Sequence, residues 1–117
     1  MESLYDSGSP TRVMSSEVAA LLREYLRSVI DYGTGTEAAP KYCDAAGKTA
    51  TAQTGRYYDD GSEITNSWFC GFFPAESPKY VAIVMSDSKI NVSTASLFAE
   101  IADEIALLKN INIQNDD

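Results

Sequence analysis

Two short, almost unbroken apolar runs, Trp68–Phe73 and Tyr80–Met85, constrain this chain more than any other feature. Neither alternates apolar with polar residues as a half-exposed strand does, so each is expected to be a strand covered on both faces. A link of six residues containing Pro74 and Pro78 separates them, which makes the strands antiparallel neighbours. Upstream, residues 54–63 (TGRYYDDGSE) have the composition of a turn with Asp60-Gly61 at its tip. Before that turn, Asp44 to Gln53 is rich in small and β-tolerant residues and reads as a further strand. Three sequential strands with short links form an antiparallel meander.

A helical pattern lies on either side of these strands. Ser15 or Ser16 offers an N-cap and Glu17 an acidic first turn. Val18, Leu21, Leu22, Tyr25, Leu26, Val29 and Ile30 then recur at three- and four-residue spacing, one apolar stripe that Gly33 should end. Near the other end Ser93 or Thr94 caps a last helix, with Leu97, Phe98, Ile101, Ile105 and Leu108 expected on its inner side. The predicted fold class is α/β in the broad sense, more strictly α+β. It has a three-stranded antiparallel sheet with an N-terminal and a C-terminal helix, one for each face. Residues 1–14 read as an arm or connection, 15–109 as the folded unit and 110–117 as a frayed tail.

Composition matters mainly for what it excludes. A net charge of −8 with only nine scattered basic residues is unsuited to a nucleic-acid surface. No apolar run approaches the ~20 residues of a membrane span, and MESLYDSGSPTR lacks the basic and apolar regions of a signal peptide. With no histidine and two cysteines, the usual zinc ligands are missing and no metal or cofactor is expected. If the first hairpin turns near residues 59–60, Cys70 lies opposite residue 48 or 49 rather than Cys43. Two free thiols are therefore expected.

The segment most suited to chemistry is Gly47-Lys48-Thr49-Ala50-Thr51-Ala52-Gln53-Thr54-Gly55. It is not a phosphate-binding P-loop, because G-x-x-x-x-G-K-[ST] spacing is absent. A lysine among small and hydroxyl residues on an edge strand leaves room for a ligand backbone to pair alongside. The same lysine would also guard the edge against aggregation, and the residues alone leave both readings open. Trp68, Phe72 and Phe73 read as core. Tyr57 and Tyr58 either line a groove or are exposed turn aromatics.

Together these segments resemble the penicillin-binding protein transpeptidase family, class B-like, over roughly residues 10–108. GKTATAQTG is similar to the family's GKTGTAQ strand, related to the K-T-G element of serine β-lactamases. Val29-Ile30-Asp31-Tyr32-Gly33-Thr34-Gly35-Thr36 resembles the helix end and GTG loop before that strand. Residues 68–80 resemble its "WFvGFaPadnPkya" hairpin. The resemblance implies the C-terminal part of a β-lactamase/transpeptidase-like fold and a role in peptidoglycan cross-linking on the extracytoplasmic side of a bacterial membrane. A serine would attack the penultimate D-Ala of a stem peptide, and β-lactams would acylate the same serine. By position, Lys48 would supply charge near the substrate carboxylate, the Thr49 and Thr51 hydroxyls would bind that carboxylate, and the Thr51 N–H would be one oxyanion-hole donor.

Two departures follow from the same comparison. Ala50 stands where the family has glycine. The nucleophile motif S-x-x-K and the S-x-N motif are both absent upstream of Lys48. Ser86-Asp87-Ser88-Lys89 is a formal S-x-x-K but follows the third strand, away from any helix beneath a site. Asn91-Val92-Ser93 is a formal glycosylation sequon of no weight here. The chain alone is therefore expected to be inactive, with the N-terminal part of the domain as its partner. A non-catalytic peptide- or β-lactam-binding module and a purely structural unit are the alternatives. The bare, apolar edge of residues 80–85 is expected to support homodimer formation.

Overall fold

The computed structural model describes residues 8–87, 90 and 92–110. The expected elements form in the expected order: α1 (Ser16–Asp31), a single 3-10 turn (Thr36–Ala38), β1 (Ala46–Tyr57), β2 (Glu63–Phe73), β3 (Tyr80–Ser86) and α2 (Thr94–Lys109). The sheet is an antiparallel meander of order β1-β2-β3, so β1 and β3 are its two edges. No described helix is long and apolar enough to cross a membrane. The first seven residues, the tail beyond Asn110, and Ser88, Lys89 and Asn91 of the two formal motifs lie outside the described residues.

Local chemistry accounts for the element ends. Ser15 caps α1 by accepting from the Val18 N–H, and Ser93 caps α2 by accepting from the Ser96 N–H. Gly33 follows α1 without entering the left-handed region. A Cβ there would lie 2.9 Å from the Val29 Cα, so close approach explains the glycine. The first hairpin turns at Asp60-Gly61 as expected, but the turn is shorter than residues 54–63. Residues 54–57 remain in β1, and the turn spans 58–62, with Gly61 at φ 87°. What reads as turn composition at Thr54-Gly55 is a bulge. Gln53 pairs with Thr65 and Arg56 with Ile64, leaving both residues unpaired, with Gly55 at φ 72°. Asp60 stabilises the turn by accepting from the Ser62 hydroxyl and N–H, and these bonds hold its carboxyl below the usual range.

The core lies between the sheet and α2. Phe69, Phe73 and Phe98 are fully buried, with ring centroids 4.6 Å apart for Phe69–Phe98 and 5.9 Å for Phe73–Phe98. Gly47 and Gly71 face each other across β1 and β2. A Cβ on Gly47 would meet the Phe69 ring at 2.7 Å, and one on Gly71 the Phe98 ring at 2.6 Å. The paired glycines thus form a trough into which two aromatic rings settle.

This close approach corrects the expected inner face of α2. Thr94, Ala95, Phe98, Ala99, Ala102 and Ala106 face the core and the expected Ile105, half-buried, packs against it, whereas Ile101 and Leu108 are exposed and Leu97 is only half-buried. Small residues are inside because the helix rides low on the sheet. Asp103 ties it further to the chain entering β1, accepting from the Lys41 and Tyr42 N–H groups at 2.7 and 2.9 Å.

Coverage of both sheet faces also needs correcting. Burial along β3 alternates: Ala82 and Val84 turn toward α2, while Val81, Ile83 and Met85 are 72%, 65% and 50% exposed. On the same open face Cys70 is exposed, and Trp68 and Phe72 are half-buried. Neither helix covers it there. The helix α1 packs against β1 and the 3-10 turn through its C-terminal end, where Ile30 joins the core. Arg27 reaches Asp44 and Glu76, at 3.5 and 2.8 Å, to pin that end. Its stripe residues Val18, Leu21, Leu22 and Tyr25 stay exposed.

Candidate active-site strand

Lys48, Thr49 and Thr51 lie together on β1, one of the sheet's two edge strands. Register places Lys48 opposite Cys70, Thr49 opposite Phe69, Ala50 opposite Trp68 and Thr51 opposite Ser67. The pleat sends Lys48 and Ala50 to the open face, and Thr49 and Thr51 to the α2 face. The lysine does not stay on its own face. Its ammonium donates to the Thr49 carbonyl oxygen at 2.9 Å and lies 3.4 Å from the Thr49 hydroxyl. The flexible stem therefore wraps around the free edge and gathers the ammonium and hydroxyl at one place. No described carboxylate forms an ion pair with Lys48, whereas Arg27 forms three.

The loop after α1 contributes a residue that no motif singled out by itself. The Thr34 and Thr49 hydroxyls are 3.2 Å apart. The Gly33 and Gly35 N–H groups both donate to the Val29 carbonyl, at 3.2 and 2.9 Å. A Cβ on Gly35 would press on Val29 and Phe69 at 3.0 and 3.3 Å. The two glycines thus fold the loop tightly onto the helix end and deliver Thr34 to β1. The alternation of glycine around Thr34 was the available signal, but its target on the next strand depends on a tertiary contact.

The remaining candidates separate from this cluster. Tyr57 and Tyr58 are 63% and 44% exposed at the hairpin end. Tyr58 lines a cavity of about 490 Å3 with Glu63, Thr65, Ser67, Ser86 and Asp87, which includes none of Lys48, Thr49 and Thr51. Ser86 is buried and donates to the Ile90 carbonyl at 3.1 Å. Phe73 is core, while Trp68 and Phe72 edge the open face. Both cysteines are free thiols, and the register that pairs Cys70 with Lys48 is the one expected. Burial, with Asp103 and Asp44 nearby, pushes the Cys43 thiol up to about 11. Among the described residues no cluster is suited to holding a metal ion.

Comparison with known proteins gives a consistent outcome. The family profile described as the penicillin binding protein transpeptidase domain matches residues 6–107. Penicillin-binding protein PbpB of Mycolicibacterium smegmatis is 38% identical over 124 residues, covering 90% of this chain and 19% of the relative. Stage V sporulation protein D of Bacillus subtilis is 35% identical over 80 residues, covering 66% of this chain and 12% of that protein. Among solved structures, the D,D-transpeptidase domain of a peptidoglycan glycosyltransferase from Eggerthella lenta aligns with a TM-score of 0.63 at 35% identity. It covers 92% of this chain and 25% of its own. The apo transpeptidase domain of Burkholderia pseudomallei penicillin-binding protein 3 aligns with a TM-score of 0.72 at 26% identity, over 92% of this chain and 36% of its own. The chain spans a minor share of each of these proteins, but the match runs through α1, all three strands and most of α2. It belongs to the penicillin-binding protein transpeptidase domain family.

Proposed function

We propose that this chain forms the C-terminal part of a serine D,D-transpeptidase domain that cross-links peptidoglycan, and that β1 is one wall of its acyl-transfer site. The observation that carries this reading is the edge geometry of Lys48 and Thr49. A cation without a carboxylate partner among the described residues and a hydroxyl meet where a peptide strand can add. Such a pair suits a terminal carboxylate, with Lys48 supplying charge and Thr49 a donor. The Thr51 hydroxyl lies on the same face, roughly 7 Å further along the strand, within reach of the same anion.

The backbone supports the remaining role. The Thr49 carbonyl accepts from an ammonium on the strand's free side, which favours an outward-turned peptide at Thr49. In an extended strand the groups two residues on turn the same way, so the Thr51 N–H is suited to donate to an oxyanion. Ala50 projects to the face that carries Trp68 rather than along this edge. The nucleophilic serine and the S-x-N residues would come from the N-terminal part of the domain, with the whole working outside the bacterial membrane. Stem peptide and β-lactam would then share the β1 edge.

A fluorescent penicillin tests the division of labour. The chain by itself is expected to take up no covalent label and to bind the drug reversibly, with binding lost in Lys48→Ala. Covalent labelling of this chain would refute the proposal, since it would require a nucleophile placed within it. Binding that is indifferent to Lys48 would remove β1 as the wall.

A further inference from the structure

We propose that Thr34 is a positioning residue for the anion site on β1, setting the direction in which Thr49 presents its hydroxyl proton. This rests on the reading of Lys48 and Thr49 given above and adds a residue to it. The argument is one of hydrogen-bond capacity. A threonine hydroxyl has one proton to donate and two lone pairs to fill. The Lys48 ammonium, 3.4 Å away, is donor-only and takes one Thr49 lone pair. The Thr34 hydroxyl, 3.2 Å away, can either donate to Thr49 or accept from it.

Those two states correspond to an empty and an occupied site. With no anion present, the Thr49 proton points at Thr34. When a carboxylate arrives at the edge, Thr49 turns its proton to the anion and Thr34 donates in its place. Lys48 and Thr34 then fill both lone pairs, so the Thr49 proton is directed outward by its own partners. No proton leaves any of these groups; only hydroxyl rotors turn. The loop is suited to the task because Gly33 and Gly35 bond to the Val29 carbonyl and admit no side chain without displacing helix backbone or side-chain atoms. Thr34 is thereby held against β1 by the end of α1, although it lies fifteen residues before Thr49.

The test uses the full chain, isotope-labelled and followed by NMR at the Thr49 and Thr51 amides. The probes are N-acetyl-D-alanyl-D-alanine and its C-terminal amide. Thr34→Val is expected to weaken binding of the carboxylate form roughly five-fold, as loss of one hydrogen bond does, and to leave the amide form unchanged. Thr34→Ser should bind as the parent chain does. Thr34→Ala, free of β-branched bulk, is a second deletion held to the same outcomes in case the valine variant does not fold. Unchanged carboxylate binding in these deletions overturns the proposal, and so does equal weakening of both ligands, the mark of a merely structural role. Lys48→Ala and Thr49→Val separate the two levels. If they lose carboxylate binding while Thr34→Val keeps it, only the role of Thr34 fails. If they too bind normally, or if the parent chain takes up neither probe, the reading of the site falls with it.

Discussion

The two faces of this sheet are made by the same three strands from similar residues, yet only one is closed. On the α2 side, Phe69, Gly71 and Phe73 meet Phe98 and a row of alanines, and the aromatic side chains are fully buried. On the other side, Val81, Ile83 and Met85 form an equally apolar row in contact with little besides their neighbours. The exposed stripe of α1 belongs with this second group. The contrast teaches that sequence apolarity reports where a residue is meant to be buried, and only the assembled neighbours decide whether it is. A segment of a larger family fold carries both kinds of surface.

The contrast can be broken or sharpened by substitution. Phe98→Ala has the largest expected effect, a loss of about 3–5 kcal/mol from an aromatic-to-alanine cavity. Urea unfolding measures it, and a loss below about 1 kcal/mol would show that the closed face is not the core. Gly71→Ala comes next, at about 1–3 kcal/mol by overpacking, since its methyl would lie 2.6 Å from the Phe98 ring and 2.7 Å from the Ala46 carbonyl oxygen. Ile83→Lys, on the open face, should change stability by no more than about 0.5 kcal/mol.

That last variant also probes the β3 edge, which we propose as a pairing site for a second copy. The β3 edge contains no charged residue or proline between Tyr80 and Met85. Sedimentation should show self-association of the parent chain that Ile83→Lys weakens. A parent chain that stays monomeric at high concentration rules the pairing out. The smallest expected effect is in thiol chemistry. At pH 8 a disulfide reagent should modify Cys70 quickly and Cys43 slowly, because Cys70 is exposed and the Cys43 thiol is pushed up to about 11. Since that thiol titrates higher when folded, its stabilisation is intact below the ordinary value of 9.0 and is lost as pH rises towards about 11. A Cys43→Ser chain should lack that part of the alkaline decline in the urea midpoint.

Most of the architecture was legible because it rests on local rules. Ser15 and Ser93 cap their helices, Asp60-Gly61 turns the hairpin, and the register that follows places Cys70 beside Lys48. What was not legible depends on contacts between distant elements. Side-chain size suggested Ile101 and Leu108 as the inner face of α2, but the Gly47–Gly71 trough draws the helix low and selects alanine instead. Thr54-Gly55 has turn composition and forms a bulge, since strand pairing resumes beyond it. Of the site, Lys48, Thr49 and Thr51 were named from the strand motif. Thr34 was quoted only as part of the GTG loop, and its contact with Thr49 came to light when that loop was seen against β1.

The glycine trough has a consequence for the order in which the chain can be finished. The strand bearing Lys48 is synthesised before α2, but the ring that fills the trough over Gly71 belongs to Phe98 on that later helix. Asp103, which tethers the stretch leading into β1, comes later still. A nascent chain stopped after β3 would hold the complete motif over an unfilled floor. Maturation of the strand should thus wait for translation to reach α2, so a truncation that removes this helix should disable a candidate site some fifty residues upstream of it.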